Sequence, residues 1–326
     1  MRLQAVDMSH HHGHSAPTRS TPTTAAANAP ALTEAEVSAR LRGAPDRMLS
    51  VGHAQLAYWR FGQGPDVVCV HGWPLHAATW RRIVPLLAGE FTVHLIDLPG
   101  AGQSVWDAGS RIGIVEHAES VRAAIALLGL ERFAYVGHDS GAAIARLAAA
   151  NDPRVFANVI ADSEIPGHTP WQVSAFIRLS KAPALYRAVV RSLRFGWLRR
   201  SPLGFGGCFT DPRYVDGEFG RWFMTPLIHD ARVLEGQTRL LANFDHAAID
   251  ALRQAHAHLH APSLLVWGAN DGFFPIGKAR AMLPQFTAGA ELIELPHARL
   301  FPQEDHAEAF AEATRVFLHR HAPAPR

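Results

Sequence analysis

The stretch Val136-Gly137-His138-Asp139-Ser140-Gly141-Ala142-Ala143 decides how this chain is read. It follows an apolar run, Phe133–Val136, and opens an alanine-rich helical pattern, Gly141–Ala150. Small residues two positions either side of Asp139 permit a sharp strand-to-helix turn, the pattern G-x-nucleophile-x-G. Such a turn holds its apex side chain out at a helix N-terminus, where negative charge is favoured. The apex here is a carboxylate. A carboxylate attacks sp3 carbon to give an alkyl ester, so epoxides and activated carbon–halogen bonds suit it better than ordinary esters.

Working outward, Val70-His71-Gly72-Trp73-Pro74 also lies between a strand pattern and a helical one. A loop of this kind supplies one oxyanion-hole N–H, and the residue after the nucleophile supplies the other. Those donors are expected to be the backbones of Trp73 and Ser140, with His71 bracing the loop. Asp97-Leu98-Pro99-Gly100-Ala101-Gly102-Gln103-Ser104 forms a glycine-shaped turn near the same edge and lacks the dinucleotide-binding pattern.

Around these motifs, strands are expected at Leu49–His53, Gln55–Phe61, Val67–Val70, Thr92–Ile96, Phe133–Val136, Val159–Asp162, Leu264–Trp267 and Glu291–Leu295. The first two read as an antiparallel pair, and the later ones, apolar on both faces, as buried parallel strands. Helical patterns at Ala77–Ala88, Val115–Leu128, Gly141–Ala150, Pro275–Met282 and Asp305–His319 alternate with them. That alternation specifies an α/β doubly wound sheet with helices on both faces. Residues 164–256 show no strand and are expected to form a helical cap inserted between core segments 44–163 and 257–322. Ligands bind at the carboxyl edge of such sheets.

The motifs, in this order, resemble those of the α/β-hydrolase superfamily, with its mostly parallel eight-stranded sheet. The H-G-W-P and G-H-D-S-G pair looks like the epoxide hydrolase and haloalkane dehalogenase branch. The resemblance covers residues from about 48 to 320 and implies a nucleophile, acid and histidine in that chain order. It places the acid at Asp271, in Trp267-Gly268-Ala269-Asn270-Asp271; some dehalogenases instead draw it from the end of the sixth strand, where Asp162 and Glu164 lie. The histidine departs from the pattern. The family's P-G-x-G-H-F-x-Q-E segment reads Pro296-His297-Ala298-Arg299-Leu300-Phe301-Pro302-Gln303-Glu304 here, so Leu300 takes the histidine's place. Several routes stay open: His297 serves as base from the strand end; His246 or His229 substitutes from the cap; Asp139 acts as general base or one-time nucleophile; or the pocket only binds ligand.

Ser140 fits neither dehalogenase type, since the resemblance implies Trp or Arg after the nucleophile. Tyr186 and Tyr214 are the cap tyrosines available as epoxide acids. Trp171, Trp197, Trp222, Phe205, Phe209 and Phe223 suggest an apolar cavity and a small apolar organic substrate. Arg187, Arg191 and Arg194, on one helical face, fit an anionic substrate, a membrane surface or a solvated helix.

Composition excludes much else. Of 326 residues 18% are charged, with 31 basic against 29 acidic, which leaves no footprint for nucleic acid. No apolar run reaches the ~18 residues of a membrane span. Two cysteines, Cys69 and Cys208, cannot build a disulfide framework, and together with the missing secretory h-region they suggest a cytoplasmic protein. Residues 1–40 are expected to form a disordered tail on the composition of Met1–Ala29; its His10, His11, His12 and His14 could hold a metal only loosely. His256, His258 and His260 alternate but lack supporting carboxylates or thiols, so neither metal nor cofactor is expected.

Overall fold

Apolar runs with no polar face must be covered on both sides, and the chain solves this with one central sheet. The structure, a computed structural model, describes residues 32–324. The strands are β1 (Arg47–Ser50), β2 (Gln55–Phe61), β3 (Asp66–Val70), β4 (Thr92–Ile96), β5 (Phe133–His138), β6 (Val155–Ala161), β7 (Ser263–Gly268) and β8 (Ala290–Leu295). Their order is β1-β2-β4-β3-β5-β6-β7-β8. The pairs β1–β2 and β2–β4 are antiparallel and all others parallel. This is the expected α/β-hydrolase sheet, including the antiparallel first pair.

Two strand boundaries differ from expectation by more than two residues. β1 ends at Ser50 because the chain turns at Gly52, whose φ is 90°, and Val51 N–H closes the turn on the Ala54 carbonyl. β6 begins at Val155, four residues before the expected start. The turn at Asp152, whose carboxylate accepts from Arg154 N–H, ends just ahead of it.

The chain reverses direction across the sheet at β3. β4 lies on one side of it and β5 on the other, so the segments leaving β3 and β5 meet at the carboxyl edge. The register sets their spacing, with Val70 opposite Gly137. Helix Ser140–Ala149 packs against β5, β6 and helix Ile114–Leu128, while helix Ala307–His321 packs against β6, β7 and β8. Between β6 and β7 the named elements are all helical, from Trp171–Ser180 to His246–Ala257. Among the described residues no helix is long and apolar enough to cross a membrane.

The expectation of disorder through residue 40 is corrected at its end. Helix Glu34–Arg42 occupies part of that stretch, held by a capping box in which Thr33 and Glu36 satisfy each other's backbone N–H groups. It buries Val37 and Leu41. The remaining tail, with its four histidines, lies outside the described residues.

One glycine controls the approach of helix Ser140–Ala149 to the loop after β3. A Cβ on Gly141 would stand 2.3 Å from both the Val70 and His71 carbonyl oxygens. Backbone cannot yield as a side chain can. Gly141→Ala should therefore destabilise the fold by about 1–3 kcal/mol, read by urea unfolding, whereas Gly89→Ala, where nothing lies within 4 Å, should leave it nearly unchanged.

Candidate active site

Asp139 sits where β5 ends and the helix begins, at φ 51° and ψ −137°. A non-glycine residue there costs about 1–3 kcal/mol and persists only when its surroundings enforce it. They do. Gly137 lets the helix return closely, since a Cβ there would lie 2.5 Å from Ala142 Cα. A Cβ on Gly72 would lie 2.5 Å from Asp139 Oδ2, so only glycine admits the carboxylate against the first loop. Beneath the turn, Ser163 Oγ donates to the Asp139 carbonyl at 2.8 Å, and buried Arg146 donates to Ser163 Oγ at 2.7 Å and the Glu164 carbonyl at 2.8 Å.

The carboxylate's placement is asymmetric. Trp73 N–H donates to Oδ2 at 2.9 Å, and the Ser140 hydroxyl approaches the same oxygen at 3.3 Å. Neither contact uses Oδ1. Burial pushes the Asp139 carboxyl well above the ordinary range and the Glu164 charge pushes it further, against the Ser140 and Trp73 hydrogen bonds. Arg146, absent from the sequence expectations, is drawn down to about 10 by its own burial. It was visible as the one charged residue of the helix Ser140-Gly141-Ala142-Ala143-Ile144-Ala145-Arg146-Leu147-Ala148-Ala149.

His71 is placed as a brace. Its Nε2 accepts from Leu98 N–H at 3.0 Å, which leaves Nδ1–H to donate to the Gly72 carbonyl at 3.1 Å. Burial draws it down to about 4, so it stays neutral in this role. The turn after β4 thereby fixes the loop after β3. Asp97 orders that turn by accepting from Ala77 N–H and Gln103 N–H, each at 2.7 Å.

Both alternative positions for the acid are occupied, and they meet. Asp162 Oδ1 accepts from Gly268 N–H at 2.8 Å, and Asp271 Oδ1 from Phe273 N–H at 2.7 Å. Each carboxyl's Oδ2 is buried with no partner of its own, and the two carboxyls lie within hydrogen-bonding reach of each other. A single shared proton satisfies both oxygens. Burial and the Asp271 charge push Asp162 well up, while burial pushes Asp271 up to about 7. The pair therefore holds its shared proton well above the ordinary carboxylate range.

Among the described residues no histidine joins this pair to Asp139. His297 is exposed, in a left-handed turn at φ 67°, with its carbonyl accepting from Thr210 Oγ1. It does not line the cavity above Asp139; Leu300 does. The imidazole bonded to Leu300's backbone is that of His138, whose Nε2–H donates to the Leu300 carbonyl at 2.6 Å and which burial draws down to about 4. His229 and His246 are exposed and also absent from the wall. His256 is buried, accepting from Arg146 at 3.0 Å. Among the described residues no group of three or more His, Cys, Asp or Glu is set to hold a metal.

The cavity measures about 260 Å3. The core lines it with Trp73, Asp139, Phe273, Phe274, Leu300 and Phe301, and the inserted segment lines it with residues that include Trp171, Phe176, Leu203, Phe205 and Cys208. Asp139 is the only carboxylate in the wall. Neither tyrosine expected as an acid lies in it. Tyr214 donates its phenol to the Glu304 carbonyl at 2.6 Å and accepts from Arg82 at 3.0 Å, because the loop after β8 passes beside it. Tyr186 is buried behind Phe176, its hydroxyl without a partner among the described residues.

The acid pair has a measurable signature. Its folded-state proton is held above the ordinary carboxylate value, so the stability it contributes is full below about pH 4 and is lost as pH rises through about 7. In Asp271→Asn the amide can donate to Asp162 without a proton. The variant should gain about 2 kcal/mol on the native chain between about pH 5 and about pH 8, read by urea unfolding at each pH.

The family profile described as alpha/beta hydrolase fold matches residues 65–307. The chain is 28% identical over 268 residues to a pimeloyl-[acyl-carrier protein] methyl ester esterase of Aeromonas salmonicida, covering 79% of this chain and 97% of that protein. It is 30% identical over 255 residues to the protein of the same name from Edwardsiella ictaluri, covering 77% and 92%. Among solved structures, the epoxide hydrolase CorEH superposes with a TM-score of 0.71 at 20% identity, covering 84% and 98%. The sequence relatives named here are thus esterases, and the likeness to an epoxide hydrolase is one of fold. The chain belongs to the α/β-hydrolase family and is a hydrolase of that fold.

Proposed function

We propose that this hydrolase attacks an sp3 carbon bearing a halogen, with Asp139 Oδ1 as nucleophile, and that the resulting alkyl ester is released slowly. The reading is carried by one observation: Asp139, pinned through Oδ2 by Trp73 N–H, faces an apolar cavity whose wall contains no histidine. In the first step Oδ1 forms a C–O bond while the carbon–halogen bond breaks, and halide leaves with the bonding pair. The Trp73 indole N–H is buried without a partner among the described residues and is a donor available to that halide. An epoxide requires more, because its alkoxide must gain a proton and neither Tyr186 nor Tyr214 lines the cavity. An acyl ester is a poorer fit still, since carboxylate attack there yields a mixed anhydride instead of a stable ester.

The second step needs water to add to the ester carbonyl, releasing alcohol and regenerating the carboxylate. A histidine base ordinarily accelerates this. With Leu300 in the wall, water attacks unassisted and the alkyl-enzyme accumulates.

Incubation with a short bromoalkane should add one alkyl mass to the intact protein, and Asp139→Asn should show none. Leu300→His should shorten the adduct's life and release alcohol. Adduct formation should also accelerate with rising pH, through a range above the ordinary carboxylate titration near ~4, because Asp139 must be ionised to react. Rapid ester hydrolysis without an adduct, or bromoalkane turnover untouched by Asp139→Asn, would overturn the reading.

A further inference from the structure

Beyond Glu164, the first half of the inserted segment carries basic charge with no acidic residue of its own. From Ile165 to Thr210 the sequence has no Asp or Glu. Arg178, Lys181, Arg187, Arg191 and Arg194 are exposed, and none forms an ion pair among the described residues. Arg199 and Arg200 differ, both being paired with Asp216.

Large apolar side chains stand among these charges. Trp171, Leu185, Phe195, Trp197 and Leu203 are between 47% and 73% exposed. Scattered exposed apolar residues are normal, but a grouping of this size marks a contact surface. Trp171 and Leu203 also line the cavity above Asp139, so the exposed apolar surface runs into the cavity mouth. Leu185 precedes cavity-lining Val189 by one helical turn and extends the same stripe. Arg187 and Arg191 repeat at that spacing on the same helix, and the Arg194 guanidinium lies 4.8 Å from the Phe195 ring centroid.

Tryptophan, phenylalanine and leucine among arginines, in a stretch of sequence without carboxylates, have the composition of an interfacial surface. The rings enter the headgroup boundary and the cations meet anionic headgroups. A soluble acidic partner would match the charge, yet a protein interface is rimmed by polar groups, whereas this cavity mouth is rimmed by exposed Trp171 and Leu203. We infer that this face docks the protein peripherally on an anionic lipid bilayer, so that the cavity draws its apolar substrate from the lipid phase. The inference goes beyond the proposed chemistry and does not depend on which bond is broken.

The test is co-sedimentation of the full chain with vesicles. Vesicles of phosphatidylglycerol and phosphatidylcholine in equal parts should bind it, pure phosphatidylcholine should not, and added salt should release it. Arg187→Ser combined with Arg191→Ser should weaken binding roughly twenty-five-fold, at about fivefold per charge. Trp197→Ser should weaken binding at unchanged charge. All three positions are exposed, and an unchanged Tm confirms that the variants fold. Three results would overturn the inference: no binding to the anionic vesicles, vesicle binding that survives both variants, or retention by polyglutamate with none by vesicles.

Discussion

The contact on which the site depends is that of a glycine with two backbone carbonyls. Gly141 lets the helix after β5 approach the loop after β3 to a distance that any side chain would prevent. That approach, together with the register of Val70 on Gly137, fixes the apex carboxylate within hydrogen-bonding distance of Trp73 N–H. The strained backbone of Asp139 follows from the same constraint, because helix and strand leave no room for a relaxed turn between them. Ser163 and Arg146 hold the turn from below, and His71 holds the loop from the side.

The electrostatics of the region are those of buried acids with few cations. Asp139 and Glu164 oppose each other, and Asp162 opposes Asp271. Arg146 is the buried cation on this side, and it spends its guanidinium on Ser163, the Glu164 carbonyl and His256. In such a setting a second carboxyl can remain only by keeping its proton. The Asp162–Asp271 pair does so by sharing one, which satisfies two otherwise orphaned oxygens without an imidazole between them and Asp139.

The sheet, the elbow and the two loops were legible because their signals are local: apolar runs of strand length, paired glycines, and a helix pattern starting at a fixed offset. Helix Glu34–Arg42 was equally legible in Thr33-Glu34-Ala35-Glu36, but the composition of the preceding tail outweighed that capping signal. What the sequence could not reveal were relations across long chain separations. Asp162 and Asp271 each stood out as an acid, yet their contact depends on β6 and β7 pairing. Tyr214, expected as an epoxide acid, commits its phenol to the Glu304 carbonyl ninety residues further along the chain. His297 is near Leu300 in the chain, but a left-handed backbone turns it to the surface, and no residue pattern announces that direction.

The hydrogen bond from His138 to the Leu300 carbonyl bears on how such a site can change over generations. It ties the loop that carries residue 300 to the strand that carries the apex, and it does so entirely through backbone oxygen. The side chain at 300 takes no part in that bond and packs instead in the apolar core. The tie to the strand therefore survives a change of residue there, and exchange at this position alters chemistry at the cost of local packing alone. A hydrolase built this way can acquire or lose a proton-transfer group while its architecture, and any likeness measured by architecture, stays the same.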